Sequence, residues 1–169
     1  VAGFIVAVPT LVVGLFLSDI VEPVGEGGLS FGSSVIMILL SKLILGVTPL
    51  SADFNIQLHP VAFAGWVGLF VTAINLFPIG QLDGGHIIYS LFGKKSKNWA
   101  KYFFIFLLSL IYFWPSWGIW AVLLIVITRF KSAPLLDDEA LPLKKHKIIG
   151  YLAIVIFILT FVPVPIEVV

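Results

Sequence analysis

The chain has 169 residues, of which 60% are hydrophobic and 11% are charged, and its mean hydropathy is +1.13. Soluble domains have about 45–50% apolar and about 25% charged residues, so this composition predicts a surface that mostly meets lipid. A formal net charge of +1 gives no basis for nucleic-acid binding. The absence of cysteine excludes thiolate catalysis, disulfide bonds and Cys-based metal sites.

Five apolar stretches predict membrane-crossing segments, because a bilayer core about 30 Å thick needs about 20 apolar residues as helix. They cover residues 1–18, 35–50, 59–79, 99–130 and 148–162. Lys42, near the centre of the second stretch, leaves a surface-lying or re-entrant helix as an alternative there. Residues 114–118 predict an interfacial turn between two short helices. The predicted fold is an all-α integral membrane protein, a polytopic transmembrane helix bundle that forms a single domain over residues 1–169.

Two loops rich in lysine and arginine, residues 93–101 and 129–147, are predicted to be cytoplasmic by the positive-inside rule. Loops on the same side of a membrane require an even number of crossings between them, which supports a hairpin at Pro115. The pattern therefore predicts a multi-pass protein.

Asp83 is the strongest candidate for chemistry, because ionisable side chains at membrane depth are rare and usually functional. Pro78 frees carbonyl groups of the preceding turn, and Gly84 and Gly85 allow a close backbone approach, so the helix is predicted to break at this motif. The alternative is that Asp83 simply caps a helix that begins at Gly84.

Residues 75–86, Asn-Leu-Phe-Pro-Ile-Gly-Gln-Leu-Asp-Gly-Gly-His, resemble the Asn-x-x-Pro-x-x-x-Leu-Asp-Gly-Gly signature of site-2 proteases, which are intramembrane zinc metalloproteases. The signature is specific because it joins an Asn, a helix-breaking Pro and an Asp-Gly-Gly at fixed spacing. The resemblance extends over about the whole chain, including His59-Pro60 and Ala2-Gly3-Phe4. It is greatest to the branch of the family that lacks a PDZ insertion.

The resemblance implies that Asp83 is the third ligand of a catalytic Zn²⁺ and that Asn75 contacts the substrate or the developing oxyanion. Supporting roles are implied for the rest of the motif, namely Pro78, Gly84, Gly85 and His86. In the family, two histidines of an HExxH helix complete the zinc site and its Glu is the general base. His86 could itself bind metal, but the family site is complete without it, so a supporting or packing role is favoured. An interhelical hydrogen bond is the alternative role for Asn75.

This chain contains no HExxH, and His59, His86 and His146 are not paired at a spacing of four. The family places that motif before the point where this sequence begins, and the opening Val1-Ala2-Gly3 has no Met, so we expect an inactive fragment of a longer protein. The implied function is a zinc-dependent intramembrane endopeptidase that performs regulated intramembrane proteolysis. Its expected partners are transmembrane protein or peptide substrates and the lipid bilayer, with no nucleic acid. The alternatives are a catalytically inactive pseudoprotease scaffold and an ion-coupled membrane transporter.

Overall fold

The structure is a computed structural model, and it is mostly helical. It describes residues 2–21, 29–51, 53–79, 82–93, 98–113, 117–118, 121–122, 126, 144–164 and 166–168. The helices are α1 (Ala2–Phe16), α2 (Val35–Leu45), α3 (Pro60–Asn75), α4 (Asp83–Phe92), α5 (Trp99–Phe113) and α6 (Lys144–Thr160). The strands are β1 (Asp19–Val21), β2 (Leu29–Phe31), β3 (Asn55–Gln57) and β4 (Ile166–Val168).

The chain divides into two compact units. The first comprises Val1–Ala73 together with Ile156–Val169, and the second comprises Ile74–Val155. The first unit therefore contains α1, α2 and all four strands, whereas the second contains α4, α5 and the segment that joins α3 to α4. The single domain expected over residues 1–169 stays a prediction.

Local sequence signals set several helix ends. Before α2, the Ser34 hydroxyl accepts a hydrogen bond from the Met37 amide at 3.3 Å, and the helix ends at Gly46, whose φ of 77° is left-handed. Helix α3 begins at Pro60, where a missing amide proton costs nothing. It ends at Asn75, because the ring of Pro78 would collide with the carbonyl of Ile74 if the helix continued.

Small residues bring α1 and α3 into backbone contact within the first unit. A β-carbon added at Gly65 would lie 2.5 Å from the amide nitrogen of Leu11, and one added at Gly14 would overlap the amide nitrogen of Ala62. Further contacts follow the same antiparallel order along both helices: Gly68 with Ala7 and Gly3 with Thr72. Such close approach maximises dispersion contacts between the helices and requires glycine at the points of contact.

Short strands complete the first unit. β1 pairs antiparallel with β3, and β2 pairs antiparallel with β4 so that Phe31 lies opposite Ile166. The Trp66 indole donates a hydrogen bond of 2.8 Å to the Gly32 carbonyl, and the Trp66 ring lies 5.3 Å from that of Phe31. The segment after β2 is thereby tied to α3. The predicted all-α fold contains no strands, so these short strands are a departure from it.

Among the described residues, none of the helices is both long enough and apolar enough to cross a bilayer, and the longest, α6, has 17 residues. The predicted polytopic transmembrane helix bundle is therefore wrong. The physical reason is that apolar sequence continues past the helix ends into turns. Hydropathy predicts that Leu76, Phe77 and Ile79 belong to a span, but they follow the end of α3 and are buried in the turn.

The two loops predicted to be cytoplasmic, residues 93–101 and 129–147, lie mostly outside the described residues. Within the described parts, residues 99–101 belong to α5 and residues 144–147 begin α6. The predicted turn at residues 114–118 also lies mostly outside the described residues, and Trp117 and Gly118 are helical. The predicted multi-pass topology has no support from these helices.

The contact between α1 and α3 predicts that Gly65→Val destabilises the fold by about 1–3 kcal/mol, because the added carbons meet the backbone of α1 and not a side chain that can move. The matched control is Ala64→Val on the exposed side of α3, which should stay within about 0.5 kcal/mol. Thermal unfolding followed by circular dichroism measures both. Equal stability of the two variants would contradict the backbone contact.

Candidate metal centre

The motif residues form a hydrogen-bonded turn between α3 and α4. The Phe77 amide donates to the Ile74 carbonyl at 3.1 Å, and the Ile79 amide donates to the Phe77 carbonyl at 2.7 Å. The Leu82 amide then donates to the Ile79 carbonyl at 3.2 Å. These bonds satisfy backbone groups at a point where Pro78 prevents regular helix. Gly80 and Gln81 lie outside the described residues.

Asp83 is the first residue of α4, and its side chain is exposed. The N-cap of α4 is Leu82, with extended φ and ψ of −69° and 156°, and no side chain caps the helix. The capping bond considered as an alternative role for Asp83 is therefore not made. Its carboxylate has no hydrogen-bond or ion-pair partner among the described residues, so both oxygens are available to a ligand.

Gly84 fixes where Asp83 lies. Gly84 is buried, and a β-carbon added there would overlap the carbonyl oxygens of Leu76 and Phe77. Glycine at this position thus lets the first turn of α4 rest directly on the backbone that follows α3. Since Asn75 precedes Leu76 and Asp83 precedes Gly84, this contact brings the backbones at the two ends of the motif together. The sequence alone does not identify Leu76 and Phe77 as the surface that Gly84 contacts. Its only indication of a close contact is the Asp-Gly-Gly run.

The other motif residues surround this contact. Asn75 is the last residue of α3, and its side chain is exposed. The Gly85 amide donates to the Leu82 carbonyl at 2.9 Å, which closes the first turn of α4. His86 is exposed and follows Asp83 by three residues, so the two side chains are neighbours on the helix surface.

The two remaining histidines lie outside the motif. His59 lies in the first unit, and its Nδ1 accepts a hydrogen bond from the Val61 amide at 3.3 Å. His146 lies in α6, and its side chain is outside the described residues.

The described residues do not form a complete metal site. Within the described ranges there is no group of three or more His, Cys, Asp or Glu residues that could hold a metal ion. Catalytic zinc usually takes three protein ligands, and the free, accessible carboxylate of Asp83 fits one of those positions. The described residues thus fit one ligand and not a complete set. The roles expected for the motif residues stay predictions: Asn75, Pro78, Asp83, Gly84, Gly85 and His86.

The model of peptidase family M50 matches residues 1–112. The chain belongs to peptidase family M50. The resemblance to site-2 proteases that the motif predicts is confirmed. Of this M50 chain, 97% aligns at 31% identity with "Probable zinc metalloprotease EGY2, chloroplastic" of Arabidopsis thaliana, and 96% aligns at 31% identity with "Probable zinc metalloprotease EGY1, chloroplastic" of the same plant.

This M50 chain spans 30% of the length of each of those two relatives. A third relative is named differently. "DDT domain-containing protein PTM" of Arabidopsis thaliana is 39% identical over 101 residues, which are 56% of the M50 chain and 6% of that protein. No solved structure is significantly similar to the chain.

The position of Gly84 predicts that Gly84→Ala destabilises the second unit by about 1–3 kcal/mol, because the new methyl group meets two backbone carbonyls that cannot move aside. Gly118→Ala is the matched control, since a β-carbon at this helical glycine meets nothing within 4 Å. That control should be neutral or stabilising by up to about 1 kcal/mol, the gain in helix propensity from Gly to Ala. Thermal unfolding measures both, and a Gly84→Ala variant as stable as the control would contradict the contact.

Proposed function

We propose that this M50 chain contributes Asp83 as the third zinc ligand of a zinc-dependent endopeptidase of the site-2 type. The observation that supports the proposal is the free carboxylate of Asp83, which lies on the first turn of α4, where the Gly84 contact holds it close to the end of α3. Because the chain spans 30% of its EGY relatives, we further propose that an HExxH segment beyond this sequence supplies the other two ligands and the general base. The chain alone is then inactive.

The residues of this chain have distinct tasks in the proposed enzyme. Bound zinc supplies a water of lowered pKa and polarises the scissile carbonyl. Asp83 holds one ligand position, and its place at the start of a helix limits how far the carboxylate can move. Asn75 donates an amide hydrogen bond to the substrate backbone or to the oxyanion that develops during cleavage.

The proposed substrates are transmembrane proteins or peptides, and the proposed activity is regulated intramembrane proteolysis. Contact with a lipid bilayer is supported by apolar side chains that face outward on several helices, with exposed fractions of 70% for Phe16, 82% for Leu43 and 89% for Tyr112. Such exposure disfavours a purely aqueous surrounding. No nucleic-acid partner is proposed.

A second candidate function is a scaffold without proteolytic activity. It is considered because sequence similar to 56% of this chain also occurs in the DDT domain-containing relative, a protein of a different name. The sequence that precedes Val1 in the native gene discriminates between the two functions. An HExxH within an apolar segment there would complete the zinc site, whereas its absence would leave Asp83 without metal partners and favour the scaffold.

In the protein that joins this chain to an HExxH segment, Asp83→Asn should abolish peptide-bond cleavage. It should also weaken zinc binding by more than about 100-fold, since loss of an outer-shell partner alone costs about 10–100-fold. Zinc content by metal analysis and cleavage of a transmembrane substrate are the two measurements. Asp53→Asn, which changes an exposed aspartate outside the motif, is the matched control. Full activity of Asp83→Asn would refute the ligand assignment.

In the same protein, Asn75→Ala should lower kcat by about 10²–10³-fold, the usual effect of removing one oxyanion donor, and should leave zinc content unchanged. Asn55→Ala, at an exposed asparagine in β3, controls for loss of an amide. If Asn75→Ala lowers the unfolding temperature but leaves kcat intact, the residue forms a structural hydrogen bond instead.

A further inference from the structure

Helix α2 presents an outward stripe that is apolar except for one lysine. Val35, Leu39 and Leu43 follow one another at intervals of four residues, so they lie along one side of the helix, and their exposed fractions are 44%, 58% and 82%. Lys42 is exposed beside Leu43 and has no hydrogen-bond or ion-pair partner among the described residues. These four residues are called the α2 face.

The opposite side of α2 fixes the direction in which the α2 face points. Met37 and Ser41 are buried at 2% and 0% exposure, and Met37 belongs to the hydrophobic core of the first unit. Both ends are also held, by the Ser34 cap and by left-handed Gly46. The helix therefore cannot rotate its outer leucines into the core without exposing Met37, so the apolar stripe needs a partner outside the unit.

We propose that the α2 face lies on the surface of an anionic lipid bilayer. This inference rests on the lipid contact in the proposed function and identifies a surface that makes it. A helix of 11 residues is about 16 Å long, about half the thickness of a bilayer core, which suits a helix lying along the interface. Interfacial helices place apolar side chains at the acyl boundary and extend lysine toward the headgroups, and the α2 face carries both kinds of group.

Charge favours a lipid surface over a second copy of the chain. A symmetric dimer formed through the α2 face would enclose the unpaired Lys42 of each copy in an apolar interface, and a buried charge without a partner is costly. An anionic headgroup layer neutralises that charge and gives about a fivefold gain in binding for one lysine. The helix dipole alone accounts for a lysine in the last turn, but it does not account for the leucines beside it.

Site-directed spin labelling tests the proposal directly, because the chain has no cysteine and each introduced one is unique. Leu39→Cys, Leu43→Cys and the reference Asn55→Cys, an exposed polar site on β3, are each labelled in the full chain and added to vesicles of phosphatidylcholine with phosphatidylglycerol. Labels at positions 39 and 43 should be accessible to lipid-soluble oxygen at a depth of about 5–10 Å. The label at position 55 should remain accessible to a water-soluble nickel chelate.

A second pair of variants tests the charge. In the Leu43→Cys background, omission of phosphatidylglycerol should lower the bilayer-inserted population about fivefold, Lys42→Gln should abolish that dependence, and Lys42→Arg should retain it. Labels at 39 and 43 that stay in water on vesicle-bound chain would overturn the proposal. Spin–spin broadening without oxygen access would overturn it in favour of a second copy. Failure of the chain to bind vesicles would overturn it together with the proposed lipid contact, while zinc binding by the longer protein tests the metal site separately.

Discussion

The close contact between Gly84 and the carbonyl groups of Leu76 and Phe77 is the constraint on which the candidate metal centre depends. A proline ends α3 early, and the chain must then restart a helix within a few residues while keeping an acidic side chain accessible. Backbone resting on backbone is the shortest way to do this, since no side chain intervenes that could adopt several rotamers. Hydrogen bonds within the turn satisfy the polar groups that the broken helix leaves behind. The position of Asp83 thus follows from main-chain geometry, which is more rigid than a set of side-chain contacts.

Glycine has a similar role in the first unit, where Gly14 and Gly65 bring α1 and α3 together. In both places the glycine is helical and has an ordinary negative φ, so its value lies in what it leaves out, the β-carbon, and not in conformational freedom. Closely packed backbones are stabilised by dispersion contacts, and any carbon added between them disrupts this stabilisation. In the first unit this contact joins two helices along their length, whereas at the motif it fixes the start of a single helix.

The motif at residues 75–85 can be recognised from the sequence because its signals are local: an Asn, a Pro and an Asp-Gly-Gly stand at fixed spacing around one turn. The starts of α2 at Val35 and of α3 at Pro60 agree within one residue with the apolar stretches 35–50 and 59–79. Helix lengths could not be predicted from the sequence, because hydropathy does not distinguish an apolar residue in a helix from one buried in a turn. Phe77 and Ile79 are examples. The short strands could not be predicted either, because three residues are too few to show the alternation of apolar and polar side chains that marks a strand. The strands that pair are also distant in sequence.

The pairing of β2 with β4 makes the first unit discontinuous, since the whole second unit lies between the two parts of the first in sequence. Contacts between residues so distant in sequence form slowly. Residues 166–168 are also synthesised after all the other helices and strands of the first unit. During synthesis, the edge of β2 that will receive β4 therefore stays open while the second unit emerges and folds. An open strand edge is prone to pairing with another chain, so the interval before β4 arrives is when this protein is most exposed to misassembly.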